Sequence, residues 1–255
     1  MIDIHSHILP GLDDGAQTIE ESLAMGRAAV EDGIHKIVAT PHHKNGVYKN
    51  FKNDIVIQVA ELNRQFQVHG IDVEVLPGQE NRIHGELIEG LKNDEILPVN
   101  SKSSYVFIEF PSGHVPRYSS QILFDTQVAG FTPIIVHPER NKQIMEHPNI
   151  LHEFISKGCH AQLTAGSICG KFGKKIKKFS EQLIEADLIH LVASDAHNTS
   201  SRGFSMTEAF QEIEKTFGGS KAYQLAENAE YVVMNEALYS SPPTKIAKRK
   251  FFNLF

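Results

Sequence analysis

The sequence predicts one α/β domain built as a closed barrel. Short β-rich apolar runs alternate with segments of helical periodicity along most of the 255 residues, which is typical of parallel strands joined by right-handed crossovers. Residues of metal-ligand type follow nearly every predicted strand, and only a closed ring brings so many carboxyl ends of strands to one point. An open doubly wound sheet would gather them at a single switch point, and no dinucleotide or phosphate-loop motif follows any strand. We therefore expect a barrel of about seven strands.

The first predicted strand begins at Ile2 and ends in two histidines. Side chains alternate along a strand, so His5 and His7 point to the same side, about 6–7 Å apart along the backbone. Two imidazoles at that separation can bind one metal ion, although histidines at a strand end are often ordinary polar groups that meet solvent. Later strands also end in residues that bind metals, and this favours the metal interpretation.

The first predicted helix follows a loop at 9–15. Thr18 and Glu21 have capping-box spacing at its start, and Gly33 marks its end. The alternation then continues to the last quarter of the chain, and several helices end in a glycine just before the next strand. Further strands are predicted at 37–39, 73–76, 105–109, 133–136, 160–164 and 189–193. Further helices are predicted at about 53–69, 85–91, 120–129, 150–157, 172–186, 207–217 and 221–227.

Composition limits the functional classes. The net charge of −6 does not favour a nucleic-acid partner, and no apolar run approaches the roughly 18 residues of a membrane helix. Two cysteines, Cys159 and Cys169, cannot build a disulfide framework and indicate a reducing compartment. A strand that starts directly after Met1 leaves no room for a signal peptide. We expect a cytoplasmic protein.

The chain has fourteen histidines, and half of them need no special role. They fall in helical stretches or at strand starts, where solvated or packed side chains are expected. These are His35, His69, His84, His147, His152, His160 and His190.

The residues that follow the strands form a candidate metal centre. All of them offer nitrogen or oxygen, which favours Mn²⁺, Fe²⁺ or Zn²⁺ over ions that require thiolate. They suffice for two or three ions bridged by a carboxylate such as Glu80, whereas one ion would leave several buried charges without partners. The predicted ligands are His5, His7, Asp14, His42, Glu80, Glu109, His137, Asp195 and His197.

A centre of this kind indicates hydrolysis of an anionic substrate. Clustered metals lower the pKa of a bound water to about 7 and stabilise both the attacking and the leaving oxygen of an in-line displacement. Arg140 lies three residues after His137, and Arg202 lies five after His197. Guanidinium groups match phosphate oxygens bidentately, so both arginines are predicted to bind phosphate and the predicted reaction is phosphate-ester hydrolysis.

Seven short motifs together resemble the polymerase-and-histidinol-phosphatase (PHP) superfamily. The resemblance runs from Met1 to about Asn235 and is strongest to the manganese-dependent bacterial protein-tyrosine phosphatases of capsule and exopolysaccharide operons, the CpsB/YwqE type. The Asp-Asp-Gly loop and the His-Pro-Glu-Arg motif are specific to that branch. The motifs are His5-x-His7, Asp13-Asp14-Gly15, Thr40-Pro41-His42-His43, Pro77-Gly78-Gln79-Glu80, Ile108-Glu109-Phe110, His137-Pro138-Glu139-Arg140 and Ser194-Asp195-Ala196-His197.

The resemblance implies a distorted TIM-like (β/α)7 barrel, the PHP fold, with three metals. It implies that the substrates are tyrosine-phosphorylated proteins, notably a bacterial tyrosine kinase of polysaccharide export, and that the chain forms homo-oligomeric rings. It also implies the ligand sets: His5, His7, Glu80 and Asp195 for the first ion, Glu80, Glu109 and His137 for the second, and Asp14, His42 and His197 for the third.

Other functions remain open at this point. The same metals could serve a small phosphomonoester such as histidinol phosphate, although the compact loop at 111–119 favours a site open to a protein-borne tyrosine. A non-catalytic scaffold would have lost some of its metal-ligand residues, and none of the predicted ligands is missing from this sequence. A cysteine-based phosphatase would need Cys-x5-Arg, whereas Cys169 has Lys175 at that spacing. No general acid is assigned, and His43 and His114 are weak candidates.

The chain is predicted to divide into a barrel at 1–239 and a tail at 240–255. Ser-Ser-Pro-Pro at 240–243 breaks regular structure, and a basic stretch then precedes four apolar residues. Such a tail could touch an anionic membrane or a partner, but we favour packing on its own barrel or a neighbouring subunit. The basic residues are Lys245, Lys248, Arg249 and Lys250, and the apolar ones are Phe251, Phe252, Leu254 and Phe255.

Overall fold

The computed structural model describes residues 1–246 and confirms the barrel of parallel strands. Every pairing between its strands is parallel. Most of the basic and apolar tail residues lie outside the described part. The strands are β1 (Ile2–Ser6), β2 (Lys36–Ala39), β3 (His42–His43), β4 (Glu74–Pro77), β5 (Glu80–Arg82), β6 (Tyr105–Glu109), β7 (Thr132–Val136), β8 (His160–Thr164) and β9 (Leu191–Ala193).

The nine strands of residues 1–246 occupy seven positions around the barrel, here called staves, because two staves are each interrupted in the middle. β2 runs on into β3 across Thr40 and Pro41, and β4 runs on into β5 across Gly78 and Gln79. The first halves belong to the sheet β1-β2-β4, and the second halves belong to the sheet β3-β5-β6-β7-β8-β9. A Cβ on Gly78 would lie 2.5 Å from Cγ1 of Val38, so only glycine permits this close approach of the two broken staves.

The ring closes between the last strand and the first. The N–H of Asp195 donates to the carbonyl of His5 at 2.9 Å, and the N–H of His7 donates to the carbonyl of Ala196 at 2.8 Å. Both hydrogen bonds lie at the carboxyl ends of β1 and β9. Closure therefore places the predicted ligands of the first and last motifs side by side.

The helices surround the barrel. Thr18 caps α1 through its side chain, as the capping box predicts, although the Glu21 carboxylate accepts from the N–H of Gln17. The last helix is longer than predicted, and no helix of residues 1–246 is long and apolar enough to cross a membrane. The helices are α1 (Ile19–Glu31), α2 (Lys52–Val68), α3 (Leu87–Lys92), α4 (Ser119–Val128), α5 (Lys142–Glu146), α6 (Asn149–Ser156), α7 (Ala165–Ile168), α8 (Lys174–Glu185), α9 (Met206–Phe217) and α10 (Gly219–Met234).

Two apolar clusters form the core. The larger one lies between the helices and the outside of the barrel. The smaller one fills the barrel with side chains such as Ile4, Val38 and Phe107, together with Ala229 and Val232 of α10. α10 thus closes the end of the barrel opposite the carboxyl ends of the strands, which leaves that carboxyl end as the open one.

Candidate metal centre

The two histidines of the first motif are buried and converge. A register shift between β1 and β2 interrupts the strand between Asp3 and Ser6, and the Nε2 atoms of His5 and His7 lie 3.3 Å apart. Nδ1 of His5 lies 3.0 Å from Oε1 of Gln162, and Nδ1 of His7 lies 2.7 Å from Oδ2 of Asp13. Because these acceptors hold the proton on Nδ1, both Nε2 atoms are free to bind a metal.

Two buried carboxylates complete this group. Oε2 of Glu80 lies 3.6 Å from Nε2 of His5 and 3.5 Å from Nε2 of His7. Oδ1 of Asp195 lies 3.6 Å and 3.4 Å from the same two nitrogens. The side chains predicted for the first ion therefore meet at one point. Asp195 reaches it from a left-handed backbone conformation, with φ of 53°.

Glu80 also contacts the side chains predicted for the second and third ions. Its Oε1 lies 2.7 Å from Nε2 of His137, and its Oε2 lies 2.7 Å from Nδ1 of His42. Nδ1 of His42 lies 3.9 Å from Oε2 of Glu109. The central position of Glu80 is the one expected of a bridging carboxylate.

The outermost group lies at the mouth of the cleft. Oδ1 of Asp14 lies 3.4 Å from Nε2 of His42 and 3.5 Å from Nε2 of His197. The side chain of Asp14 is 46% exposed, whereas that of His197 is buried. Solvent and substrate can therefore reach this edge of the centre.

The donor set fits metal ions. Nε2 of His197 is buried and has no hydrogen-bond partner within residues 1–246, although unpaired buried polar atoms are costly. Nδ1 of His42 and Oε2 of Glu80 lie 2.7 Å apart without the alignment of a hydrogen bond, and the same holds for Oε2 of Glu109 and Nε of Arg82 at 3.0 Å. Three overlapping groups hold potential ligand atoms within 4.8 Å of one another. These groups are His7, Asp14, His42 and His197; His5, His7 and Glu80; and His42, Glu80 and Glu109.

Charges of both signs shift one another's pKa values in this small volume. Burial lowers the pKa of His42, but Glu80 and Asp14 outweigh burial and raise that pKa to about 11. Burial and the negative charge of Glu80 raise the pKa of Glu109 to about 7. Burial and the positive charge of Arg140 lower the pKa of His137 to about 4, which leaves its imidazole neutral, the form that binds metals.

Both predicted arginines lie beside the donors. An Nη2 atom of Arg140 lies 2.5 Å from Oδ2 of Asp195, and an Nη2 atom of Arg202 lies 3.2 Å from the same oxygen. Arg202 also approaches Asp14, with 3.7 Å between Nη1 and Oδ2. Both arginines border a cleft of about 530 Å³. Its lining includes Asp14, His42, Arg82, Glu109, His137, Arg140, Asp195 and Arg202. An anion in this cleft would contact both guanidinium groups.

Sequence reasoning missed several polar residues of the site. Asp13 orients His7, Gln162 orients His5, and Arg82 pairs with Glu109 at 3.0 Å. Glu139 is buried and accepts from the hydroxyl of Ser167 at 2.7 Å. Asp13 and Glu139 belong to the Asp-Asp-Gly and His-Pro-Glu-Arg motifs, and that position is the sequence signal that marks them. The position of Gln162 inside β8 gives no such signal.

Neither weak candidate for a general acid lines the cleft. His43 is buried, and its ring packs edge-on against Phe51 with 5.4 Å between centroids. His114 lies exposed on the loop at 111–118.

Comparison with known proteins places the chain in a family. Residues 1–234 match the family described as capsular polysaccharide synthesis, CpsB/CapC. The chain is 48% identical to the tyrosine-protein phosphatase YwqE of Bacillus subtilis, over the whole of both chains. It is 37% identical to a Staphylococcus aureus protein named putative tyrosine-protein phosphatase CapC, over 98% of both chains.

A solved structure agrees with the sequence relatives. It comes from work on YwqE of Bacillus subtilis and CpsB of Streptococcus pneumoniae, described as unique metal-dependent tyrosine phosphatases. The TM-score is 0.95 at 47% identity, and the match covers 97% of this chain and 100% of the other. The chain belongs to the CpsB/CapC family of capsular polysaccharide synthesis proteins.

Proposed function

We propose that this chain is a metal-dependent protein-tyrosine phosphatase that acts in capsule or exopolysaccharide synthesis. The observation that carries the proposal is the convergence of nine side chains with nitrogen or oxygen donors, with Glu80 at their centre, beside Arg140 and Arg202. The relatives named tyrosine phosphatases support phosphotyrosine, rather than a small phosphomonoester such as histidinol phosphate, as the substrate.

Nine side chains would hold the metals, in the three sets that the family resemblance implies. Bound metal ions would supply a strong nucleophile at neutral pH by lowering the pKa of water. Manganese is the ion we propose, because a donor set of imidazoles and carboxylates without thiolate suits it. Glu80 would bridge, since it contacts His42 and His137 through different oxygens.

Arg140 and Arg202 would bind the phosphoryl oxygens. Both guanidinium groups now share one oxygen of Asp195, so their remaining N–H groups are available to a phosphate in the cleft. The leaving group would be phenolate, whose conjugate acid has a pKa of about 10. Such a leaving group needs little help from a general acid, in keeping with a cleft that lacks His43 and His114.

A cysteine mechanism does not fit this chain. Burial and the charge of Glu208 raise the pKa of Cys169 to about 12, so its thiol is protonated at neutral pH. Its Sγ contacts the carbonyl of Ser205 at 3.9 Å. A neutral thiol held in this way is not an activated nucleophile.

The partners and the setting follow from the same proposal. The protein substrates would include a tyrosine kinase of polysaccharide export, and the chain would act in the cytoplasm. It would also form homo-oligomers. Phe124 and Val128, exposed one turn apart on α4, are candidates for that contact.

Turnover measured on metal-stripped protein after metal is added back tests the proposed activity. A phosphotyrosine peptide and histidinol phosphate are assayed side by side after Mn²⁺, Fe²⁺ or Zn²⁺ is restored. We expect a higher kcat/KM for the peptide than for histidinol phosphate. We also expect kcat/KM to fall at least about 10²-fold in Arg140→Ala or His137→Ala, because each substitution removes a group that faces the phosphate or a metal. Circular dichroism checks that both variants are folded.

Cys169→Ala serves as the matched control and should keep full activity. Full activity of Arg140→Ala would refute the assignment of the site. Preference for histidinol phosphate would refute the substrate.

A further inference from the structure

The segment at 171–178 is strongly basic in an acidic protein. It carries five lysines and no acidic residue, while the chain as a whole has a net charge of −6. A solvated helix face commonly mixes both signs of charge, so a run of one sign is a local feature that needs its own explanation.

This segment lies against the phosphate-binding side of the cleft. The guanidinium carbon of Arg140 lies 5.5 Å from the ring centroid of Phe172, and α8 packs against the turn at 138–140 that carries Arg140. On its other side, Nζ of Lys171 contacts Oγ of Ser205, three residues after Arg202. The basic segment therefore borders the loops of both arginines.

The lysines of the segment divide into paired and unpaired groups. Lys171 lies 3.5 Å from Glu208, and Lys177 lies 2.7 Å from Glu212. Lys178 is also exposed and forms no salt bridge within the described residues, but it lies in the second turn of α8. Lys174 and Lys175, which begin the helix, are exposed and have no carboxylate within 4.0 Å in residues 1–246. Their charges are thus available to a ligand that comes to the cleft.

A third unpaired lysine lies on the same rim. Lys142 follows Asn141, which lines the cleft, and its N–H donates to the carbonyl of Ser112, another lining residue, at 2.9 Å. Its side chain is exposed and forms no salt bridge within the described residues. The rim therefore presents positive charge from two separate elements, α5 and α8.

The placement of Lys174 and Lys175 opposes the preference of their own helix. They occupy the first turn of α8, where the macrodipole favours acidic side chains. No side chain caps this end, and Gly173 precedes it with φ of 95°. Charges that work against local stability are expected where they serve a ligand.

We infer that the rim formed by Lys142, Lys174 and Lys175 binds acidic residues that flank the phosphotyrosine of a protein substrate. The inference rests on the proposed phosphatase function and narrows its substrate class to acidic phosphopeptides. The three ammonium groups would contact carboxylates on the peptide, while Arg140 and Arg202 hold the phosphate. Positive charge around the cleft would also speed the encounter with such substrates.

Two phosphotyrosine peptides that differ only in flanking charge test the inference. One carries glutamates on both sides of the phosphotyrosine, and the other carries glutamines. With the Mn²⁺-loaded full chain we expect kcat/KM to be about tenfold higher for the glutamate peptide at low salt, and this preference to fall as ionic strength rises. In Lys174→Glu/Lys175→Glu the ratio of the two kcat/KM values should drop to one or below.

The matched control is Lys102→Glu. Lys102 is exposed before β6, at the end of the barrel that α10 closes, and its variant should keep the ratio of the native chain. Equal kcat/KM for both peptides in the native chain, or a ratio that survives the double substitution, would overturn the inference. The inference would also be overturned if the double variant lost binding to vesicles of anionic lipid while the ratio of kcat/KM for the two peptides stayed unchanged. Failure of the Mn²⁺-loaded native chain to hydrolyse either phosphotyrosine peptide would instead overturn the proposed function.

Discussion

Single polar residues behind the metal ligands decide which ring nitrogen of His5 and of His7 can bind a metal. Oδ2 of Asp13 accepts from Nδ1 of His7 and from the N–H of His42 at 2.9 Å, while Oδ1 accepts from the N–H of Gly15 at 2.9 Å. Burial raises the pKa of Asp13, but the charge of His7 outweighs burial and lowers that pKa to about 2. Asp13 is therefore an acceptor at all physiological pH values and holds a proton on Nδ1 of His7, so Nε2 is the nitrogen of His7 that is left for a metal.

Asp13→Asn should weaken metal binding without removing a ligand. An amide NH₂ facing Nδ1 of His7 would favour the tautomer with the proton on Nε2, where it blocks the metal. We expect metal affinity to fall about 10–100-fold, as for other residues that orient metal-bound histidines. Competition with a chromogenic chelator measures this affinity. Gln127→Glu, which changes an amide to a carboxylate on α4 away from the cleft, is the control and should bind metal normally.

The loop that carries Asp13 and Asp14 depends on one glycine. A Cβ on Gly15 would lie 2.0 Å from the carbonyl oxygen of His7, so the loop and the end of β1 touch through their backbones. The N–H of Ala16 donates to the same carbonyl at 3.1 Å. This element can place two carboxylates beside His7 only because residue 15 has no side chain.

Gly15→Ala should therefore impair the site through the loop. The added methyl group would push the loop away from β1 and carry Asp14 away from His42 and His197. We expect kcat/KM on a phosphotyrosine peptide to fall at least about tenfold, in line with the effect of a 1 Å displacement. Gly85→Ala, whose added Cβ would meet no atom within 4 Å, should keep native turnover. Native turnover in Gly15→Ala would contradict this account of the loop.

At the scale of the whole molecule, the two ends of the barrel have different tasks. The open end holds the metal centre, and the closed end is sealed by α10, where the side chain of Asn228 donates to the carbonyl of His190 at 2.8 Å. His160 and His190 lie at this closed end with their rings edge-on, 4.6 Å between centroids. Both were expected to be solvated or packed, and they are packed.

These two histidines should make the fold sensitive to acid. Burial lowers the pKa of His160 to about 4, and burial with the nearby His160 lowers that of His190 to about 3. Both values lie below the ordinary 6.5, so the unfolded chain binds these protons first. Stability is then full above about pH 6.5 and is lost as pH falls toward 4 and 3.

His160→Phe tests this dependence. The phenyl ring fits a buried site in which Nδ1 of His160 has no partner within residues 1–246, so the variant should lose less stability than the native chain between pH 7 and pH 4.5. Urea midpoints measured across that range give the difference. The same substitution at exposed His147 should follow the native curve, and parallel curves for native chain and His160→Phe would contradict the prediction.

The sequence by itself determined the type of fold and the residue types of the site. Strand and helix periods are local properties, so the alternation of elements and most of their positions could be read directly. Residues such as His137 and Glu109 follow strands, and their convergence follows from the rule that parallel strands end at one face. Their roles as ligands remain predictions that metal binding must test.

Only the tertiary structure decided the contacts that depend on distant parts of the chain. The splitting of two staves at Thr40-Pro41 and Gly78-Gln79 has no local period, and α10 extends to Met234 because it packs into the closed end of the barrel. Gln162 orients His5 across 157 positions, and Phe172 places a basic segment beside Arg140. Hydrogen bonds and packing act at a few ångströms in space, whatever the separation along the chain, so no local pattern encodes them.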